Sequence, residues 1–429
     1  MTAASSATRP FGFWTATALV VGGMIGSGIF ALPASLSPFG WTGVVAWVVT
    51  IAGAAVIAWV LAKLAIAMPE ATGVLAICGA ALGPLPGLLV AWSYWVGIWS
   101  ANAFIAWTAI GYLSVFFPVL ATQWYHCLGA VAAIWLLTLL NLGGAKGSGR
   151  FQLATTLLKL LPLIAVVLIL AGLAFGIGGH FDPAPRAPFS AGRLTPALTL
   201  AFFAVVGFES ASVATERVRD PARNVVRATL CGLALTGAFY LIVCSGIVFA
   251  MPAGTLENAP APIALFVERF WGHGAALAVA AFAVVAAIGC LNGWVLIQGE
   301  VPLGLARAGM LPAWIGRTND RDVPVGALLV SSGLASLLVM ANADSSASGA
   351  VEVIVLLTTA ATLWLYVGAC ASAWVMNIAR PAAAIGLVFA LWVIWGAGWK
   401  ATEYGLFLMI PAIPLYWLRG SSAPVEQPA

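Results

Sequence analysis

Gly22-Gly23-Met24-Ile25-Gly26-Ser27-Gly28-Ile29-Phe30 sits in the middle of the first long apolar run of the chain. Four glycines and one serine fall within its first seven residues. Each glycine inside a helix costs about 1 kcal/mol relative to alanine, so the stretch predicts an interruption of the helix around it. In hydrocarbon, broken backbone is tolerated only where the freed N–H and C=O groups face protein, water or a ligand. An interruption here therefore predicts a site. A half-helix starting near Ser27 would aim its first N–H groups and its positive dipole end at a small anion, and a carboxylate is the natural occupant.

Composition fixes the solvent around this stretch. Of 429 residues, 62% are hydrophobic and 7% charged, with a mean hydropathy of +1.04. That is too little charge for a water-soluble protein of this size. The chain is predicted to be an all-α, multi-pass membrane protein with the lipid bilayer as a partner. Its net charge of +4 reports orientation and not a nucleic-acid partner. Cys78, Cys127, Cys231, Cys244, Cys290 and Cys370 are scattered without CxxC spacing, so neither a metal site nor a disulfide framework is indicated, and no cofactor is expected. Residues 1–11 read as a cytoplasmic N-terminus before a retained first helix, not a signal peptide.

Apolar segments long enough to cross about 30 Å of hydrocarbon recur along the chain. Twelve are expected, over 12–36, 41–67, 85–117, 124–142, 151–178, 194–216, 225–251, 272–304, 325–341, 351–377, 383–399 and 402–418. With the N-terminus inside, the inside loops and ends carry Arg9, Lys63, Lys146, Arg150, Arg217, Arg219, Arg223, Arg227, Arg307, Arg317, Arg321, Arg380 and Arg419. The outside loops carry only Arg186, Arg193, Arg269 and Lys400. This asymmetry follows the positive-inside rule and predicts a cell (inner) membrane protein with both termini cytoplasmic.

A second candidate break follows five helices after the first, at Val205-Val206-Gly207-Phe208-Glu209-Ser210-Ala211-Ser212. It again joins a glycine to small polar residues, and it adds a carboxylate. An offset of five predicts two inverted five-helix repeats, 12–178 and 194–377, whose breaks meet near the bilayer midplane. The prolines of 179–193 make an external connection, 378–419 two accessory helices and 420–429 a cytoplasmic tail. Close helix packing by small residues is the alternative for either glycine cluster.

At this point the chain resembles a known family. Met24-Ile25-Gly26-Ser27-Gly28-Ile29-Phe30 with Leu32-Pro33, Gly207-Phe208-Glu209-Ser210-Ala211-Ser212, and Asp220-Pro221-Ala222-Arg223-Asn224-Val225 are similar to signatures of the amino acid/polyamine/organocation (APC) transporters. Gly289-Cys290-Leu291-Asn292-Gly293-Trp294 adds a likeness to the basic amino acid/polyamine antiporters, which exchange substrates such as arginine and agmatine. The resemblance implies a 5+5 inverted-repeat, LeuT-like fold and secondary transport of an amino acid or derived amine. It implies that Ser27 and Gly28 help bind the substrate carboxylate, with Met24, Ile25, Gly26 and Gly207 around them.

Asn102 matches a side-chain-binding asparagine of those antiporters, and Trp294 an aromatic of their pocket. An interhelical hydrogen bond and a packing role are the respective alternatives. Glu209 corresponds to a pH-sensitive acid beside the second break; a carboxyl hydrogen-bonded across helices is the alternative. Lys159 matches a lysine whose ammonium, in proton-coupled relatives, replaces a sodium ion against the first break; otherwise it reaches for the interface. Protons and a second copy of the chain stay open as partners.

Other function classes fare worse. His126, His180 and His273 all fall near expected loops, with no HExxH, so no intramembrane enzyme constellation is visible. Gly26-Ser27-Gly28-Ile29-Phe30-Ala31 fits GxGxxA only formally, without a βαβ context. A channel also uses broken helices, but paired breaks favour alternating access. Within transport, antiport and proton-coupled symport or export of neutral amino acids both remain.

Where arginine exchangers have a stacking tryptophan, this chain has Phe203. Phe203→Trp is expected to favour arginine over leucine by roughly 2- to 30-fold, the span of about 0.5 to 2 kcal/mol for a cation–π contact. Competition assays on wild type and variant read this, and an unchanged ranking in a transporting variant would remove Phe203 from the side-chain pocket.

Overall fold

A computed structural model describes residues 12–68, 74–143, 158–177, 186–209, 218–252, 254–321, 323–343 and 347–418. The expectations placed on 1–11 with Arg9, on Lys146, Arg150 and the start of the fifth span, on 178–185 with His180, on Ser210 to Ser212, Glu216 and Arg217, on Arg419 and on the tail 420–429 lie outside the described residues.

Helices are the only regular structure among the described residues. The first apolar run forms α1 (Phe13–Met24) and α2 (Gly28–Leu36), and the run is bent by 50° at Ile25, Gly26 and Ser27. There follow α3 (Trp41–Ala67), α4 (Val74–Leu82), α5 (Pro84–Leu113), α6 (Gln123–Leu142), α7 (Leu160–Ala174) and α8 (Ala191–Val205). Then come α9 (Pro221–Ala250), α10 (Pro262–Trp271), α11 (His273–Arg307), α12 (Val325–Ala341) and α13 (Ala347–Val375). The chain ends in α14 (Arg380–Gly396), α15 (Gly398–Met409) and α16 (Ala412–Trp417).

Six of the described helices are long and apolar enough to cross a membrane, or up to eight candidates if each bent pair counts as one, with three shorter apolar helices beside them. On α6, Leu136, Leu139 and Leu140 are exposed, as are Ile385, Val388 and Trp395 on α14. Apolar faces of this kind are a liability in water and the normal lateral surface in lipid. The protein is a multi-pass, all-helical membrane protein.

α5 is the most enclosed element, packed along its length against α13 and α11 and flanked by α4, α6 and α12. α3 packs on α9 and α8, α1 on α9, and α2 lies against α8, α9 and α10. Two helices escape a reading based on spanning length, because α4 and α10 are only 9 and 10 residues long. α10 instead buries Ile263, Ala264, Phe266 and Val267 on one side. Its Ile263 N–H donates to the Tyr112 hydroxyl (3.3 Å), which itself donates to the Phe30 carbonyl of α2 (2.8 Å). The last expected span is divided at Ile410 and Pro411, because proline brings no N–H to continue α15.

α3 and α14 meet where the Phe389 ring lies on the bare backbone of Gly53. A Cβ on Gly53 would come within 2.2 Å of the ring. Gly53→Ala is expected to destabilise the protein by about 1–3 kcal/mol, the usual effect of overpacking, and Phe389→Leu should return part of the loss. Thermal melting in detergent reads both variants; an unaltered midpoint in Gly53→Ala would mean that the ring moves aside freely.

Candidate substrate site at two helix breaks

A helix that ends inside a bundle leaves its last carbonyls without intrahelical donors. At the end of α1 those carbonyls are met one by one. Val21 O accepts the Ile25 N–H (2.9 Å), and Met24 O accepts both the Gly26 N–H (2.7 Å) and the Tyr240 hydroxyl (2.7 Å). Gly22 O accepts the Lys159 ammonium at 2.7 Å. Lys159 is buried at the start of α7, where a full cation meets the negative end of the α1 dipole.

Gly23 O is covered by the second break. α8 stops at Val205, Val206 turns extended (φ −54, ψ 137), and Gly207 takes φ +108. A side chain at Gly207 would be doubly excluded, since L residues rarely adopt that φ and a Cβ there would sit 2.5 Å from Gly23 O. Glu209 folds back over the same turn. Its Oε2 accepts the Gly207 N–H (3.0 Å) and the Tyr366 hydroxyl (2.9 Å), and the residue is buried.

α2 begins again at Gly28, after Ser27, and among its first N–H groups that of Phe30 bonds back to the Ser27 carbonyl (3.1 Å). Ser27 and Gly28, at the positive end of α2, line a cavity of about 50 Å³. Met24, Gly26, Ser27 and Gly28 line it from the first break, Phe203 and Val206 from the second. Tyr94 of α5, Cys290 and Trp294 of α11, and Thr358 and Thr362 of α13 complete it. A space of that size has room for a few waters and is narrow for an amino acid, so binding one asks the lining helices to move apart. Phe203 is wedged edge-on against Phe104 (centroids 4.6 Å apart), and its Cδ1 lies 3.5 Å from where a Gly28 Cβ would be.

The structure thus brings Met24, Gly26, Ser27, Gly28, Phe203 and Trp294 to one cavity. Ile25 is buried in the turn, and Gly207 lies beneath Gly23. Lys159 and Glu209 brace the two breaks. Asn102 is buried, is not among the cavity residues, and donates its Nδ2 to Gln298 Oε1 (2.7 Å). The sequence reading missed Tyr94, Tyr240, Tyr366, Thr358 and Thr362. The two threonines, four apart in an apolar helix, carried a signal, because polar residues inside a span ask for a reason. The tyrosines sit on three different helices and share no spacing.

The model of the amino acid permease family matches residues 11–423 of the chain, which belongs to that family of transporters. A protein of Bacillus subtilis (strain 168), provisionally named an arginine/ornithine antiporter, is 32% identical over 389 residues, covering 83% of this chain and 81% of the relative. The cadaverine/lysine antiporter of Escherichia coli (strain K12) is 30% identical over 353 residues, covering 80% and 78%. The putrescine transporter of the same organism is 26% identical over 416 residues and 94% of each chain. The likeness to basic amino acid and polyamine antiporters read from the motifs extends over about 80% of the chain.

Gly207→Ala is expected to push the two breaks apart and lower transport at least tenfold. Gly333→Ala, where a Cβ meets nothing within 4 Å, should transport as wild type. Uptake into proteoliposomes decides, and equal activity of the two variants would mean that the contact between the breaks is dispensable.

Proposed function

We propose that the protein is a secondary active antiporter that exchanges a basic amino acid for an amino acid or derived amine by alternating access across the inner membrane. The observation that carries this reading is the contact of two interrupted helices beside one narrow cavity. In the full proposal twelve spans include inverted repeats at 12–178 and 194–377, with 378–419 accessory and both termini cytoplasmic. The substrate carboxylate binds the N–H groups of Ser27 and Gly28 at the start of α2. Phe203 and Trp294 close over the bound molecule, and one group of helices then rocks against the other. Relatives named for arginine/ornithine and cadaverine/lysine exchange support a cationic substrate class.

A second reading, proton-coupled transport of a neutral amino acid, is favoured by Lys159 on the Gly22 carbonyl and by Phe203 in place of a stronger cation-stacking ring. In that reading the ammonium yields its proton during the cycle and loosens the first break.

Counterflow in reconstituted liposomes separates the readings. For an antiporter, internal lysine, arginine, ornithine or putrescine accelerates uptake of labelled arginine, and a pH gradient without internal substrate drives little accumulation. For a proton-coupled carrier, the gradient alone concentrates leucine or another neutral amino acid, and Lys159→Ala abolishes that accumulation. Flux that neither saturates nor responds to internal substrate would replace both readings with a channel.

A further inference from the structure

A file of polar side chains crosses the bundle behind the cavity and ends on Asn102, and its direction is dictated from the far end. The Ile134 carbonyl can only accept, so the Thr138 hydroxyl donates its single proton there (2.8 Å). Thr138 Oγ1 is left to accept from Ser332 Oγ, 2.6 Å away. Ser332 Oγ then has only lone pairs to offer, and Gln298 turns Nε2 towards it (2.8 Å). That leaves Gln298 Oε1 to accept the Asn102 Nδ2 (2.7 Å). All four side chains, Asn102, Thr138, Gln298 and Ser332, are fully buried. The file ends with the Asn102 Oδ1 buried and without a partner, a costly condition for an acceptor. Asn102 lies four residues after Ile98 and three before Ile105, which both line the cavity, so it flanks that face of α5.

We infer that Gln298, held by Ser332 and Thr138, sets the polarity of the Asn102 amide so that an acceptor is offered to the substrate, and ammonium or guanidinium side chains are selected over apolar ones. The inference rests on the reading of Asn102 as a substrate contact once the cavity widens. Gln298 touches no substrate in this scheme; it is a positioning residue. A free Oδ1 rewards a ligand that brings N–H donors, whereas a reversed amide would present its own donors and repel a cation.

The test is the ratio of arginine to leucine inhibition in counterflow, measured for wild type, Gln298→Met, Gln298→Glu and Asn102→Ala. Gln298→Met removes the acceptor that holds Nδ2 and should lower the ratio roughly tenfold, the scale of one hydrogen bond to a charged group. Gln298→Glu in its protonated form donates to Ser332 Oγ as Nε2 does, keeps an oxygen facing Asn102 and should retain the wild-type ratio. Where a Gln298 variant no longer transports, the same ratio is read from competition binding to purified protein, with Ser332→Ala as a second variant expected to lower it.

A lowered ratio in Asn102→Ala with an unchanged one in Gln298→Met overturns the positioning role alone. Equal losses in Gln298→Met and Gln298→Glu overturn it too, because packing would then explain both. An unchanged ratio in Asn102→Ala removes Asn102 from the substrate site, and the inference with it.

Discussion

Carbonyl groups left over where a helix ends inside a bundle govern this molecule. In lipid there is no solvent to take up an unmet backbone group, and each one costs several kcal/mol. The end of α1 is therefore held by donors drawn from distant parts of the chain: an ammonium from α7 on Gly22 O and a phenol from α9 on Met24 O. α8 brings its own interruption against Gly23 O at a distance that only glycine allows. The break is a junction at which at least four helices must arrive in register, which makes it the most constrained point of the fold.

The same junction separates electrical roles. The carbonyl end of α1 attracts cations and is already occupied by Lys159, while Ser27 and Gly28, at the N–H end of α2, line the cavity. One interrupted helix thus offers opposite partial charges a few residues apart, which suits a zwitterion better than a simple ion. Glu209 plays the corresponding part at the second break, bonded to the Gly207 N–H and the Tyr366 hydroxyl. The charged side chains steady the breaks, and backbone dipoles, aromatic rings and hydroxyls surround the cavity. Among the described residues, no charged side chain lines the cavity.

The break itself was legible because glycine is a poor helix former, and the long apolar runs were legible because membrane thickness sets their length; Trp41–Ala67 and Val325–Ala341 begin and end where hydropathy places them. Lys159 and Glu209 stood out because charge is rare in such segments. Hidden from sequence were the partners that depend on three-dimensional register. Tyr94, Tyr240 and Tyr366 look like ordinary aromatics of apolar helices, yet one lines the cavity and two bond the breaks. The orientation of Asn102 was equally invisible, since it is decided by Gln298, 196 residues away. α10 escaped for a different reason: an amphipathic helix of 10 residues gives no spanning signal, although its buried side is well defined.

The Tyr112 hydroxyl, donating to Phe30 and accepting from Ile263, ties α2, α5 and α10 together at a single oxygen atom. Three elements pinned at one point move as one body or break the pin. The second half of the interrupted helix is thereby tied to α5 and α10, while both halves also pack on α9. Any bending between the two halves is concentrated in Gly26 and Ser27, which lie beyond the last ladder bond of α1, Ile25 N–H to Val21 O, and so act as a universal joint that transmits position but not torque.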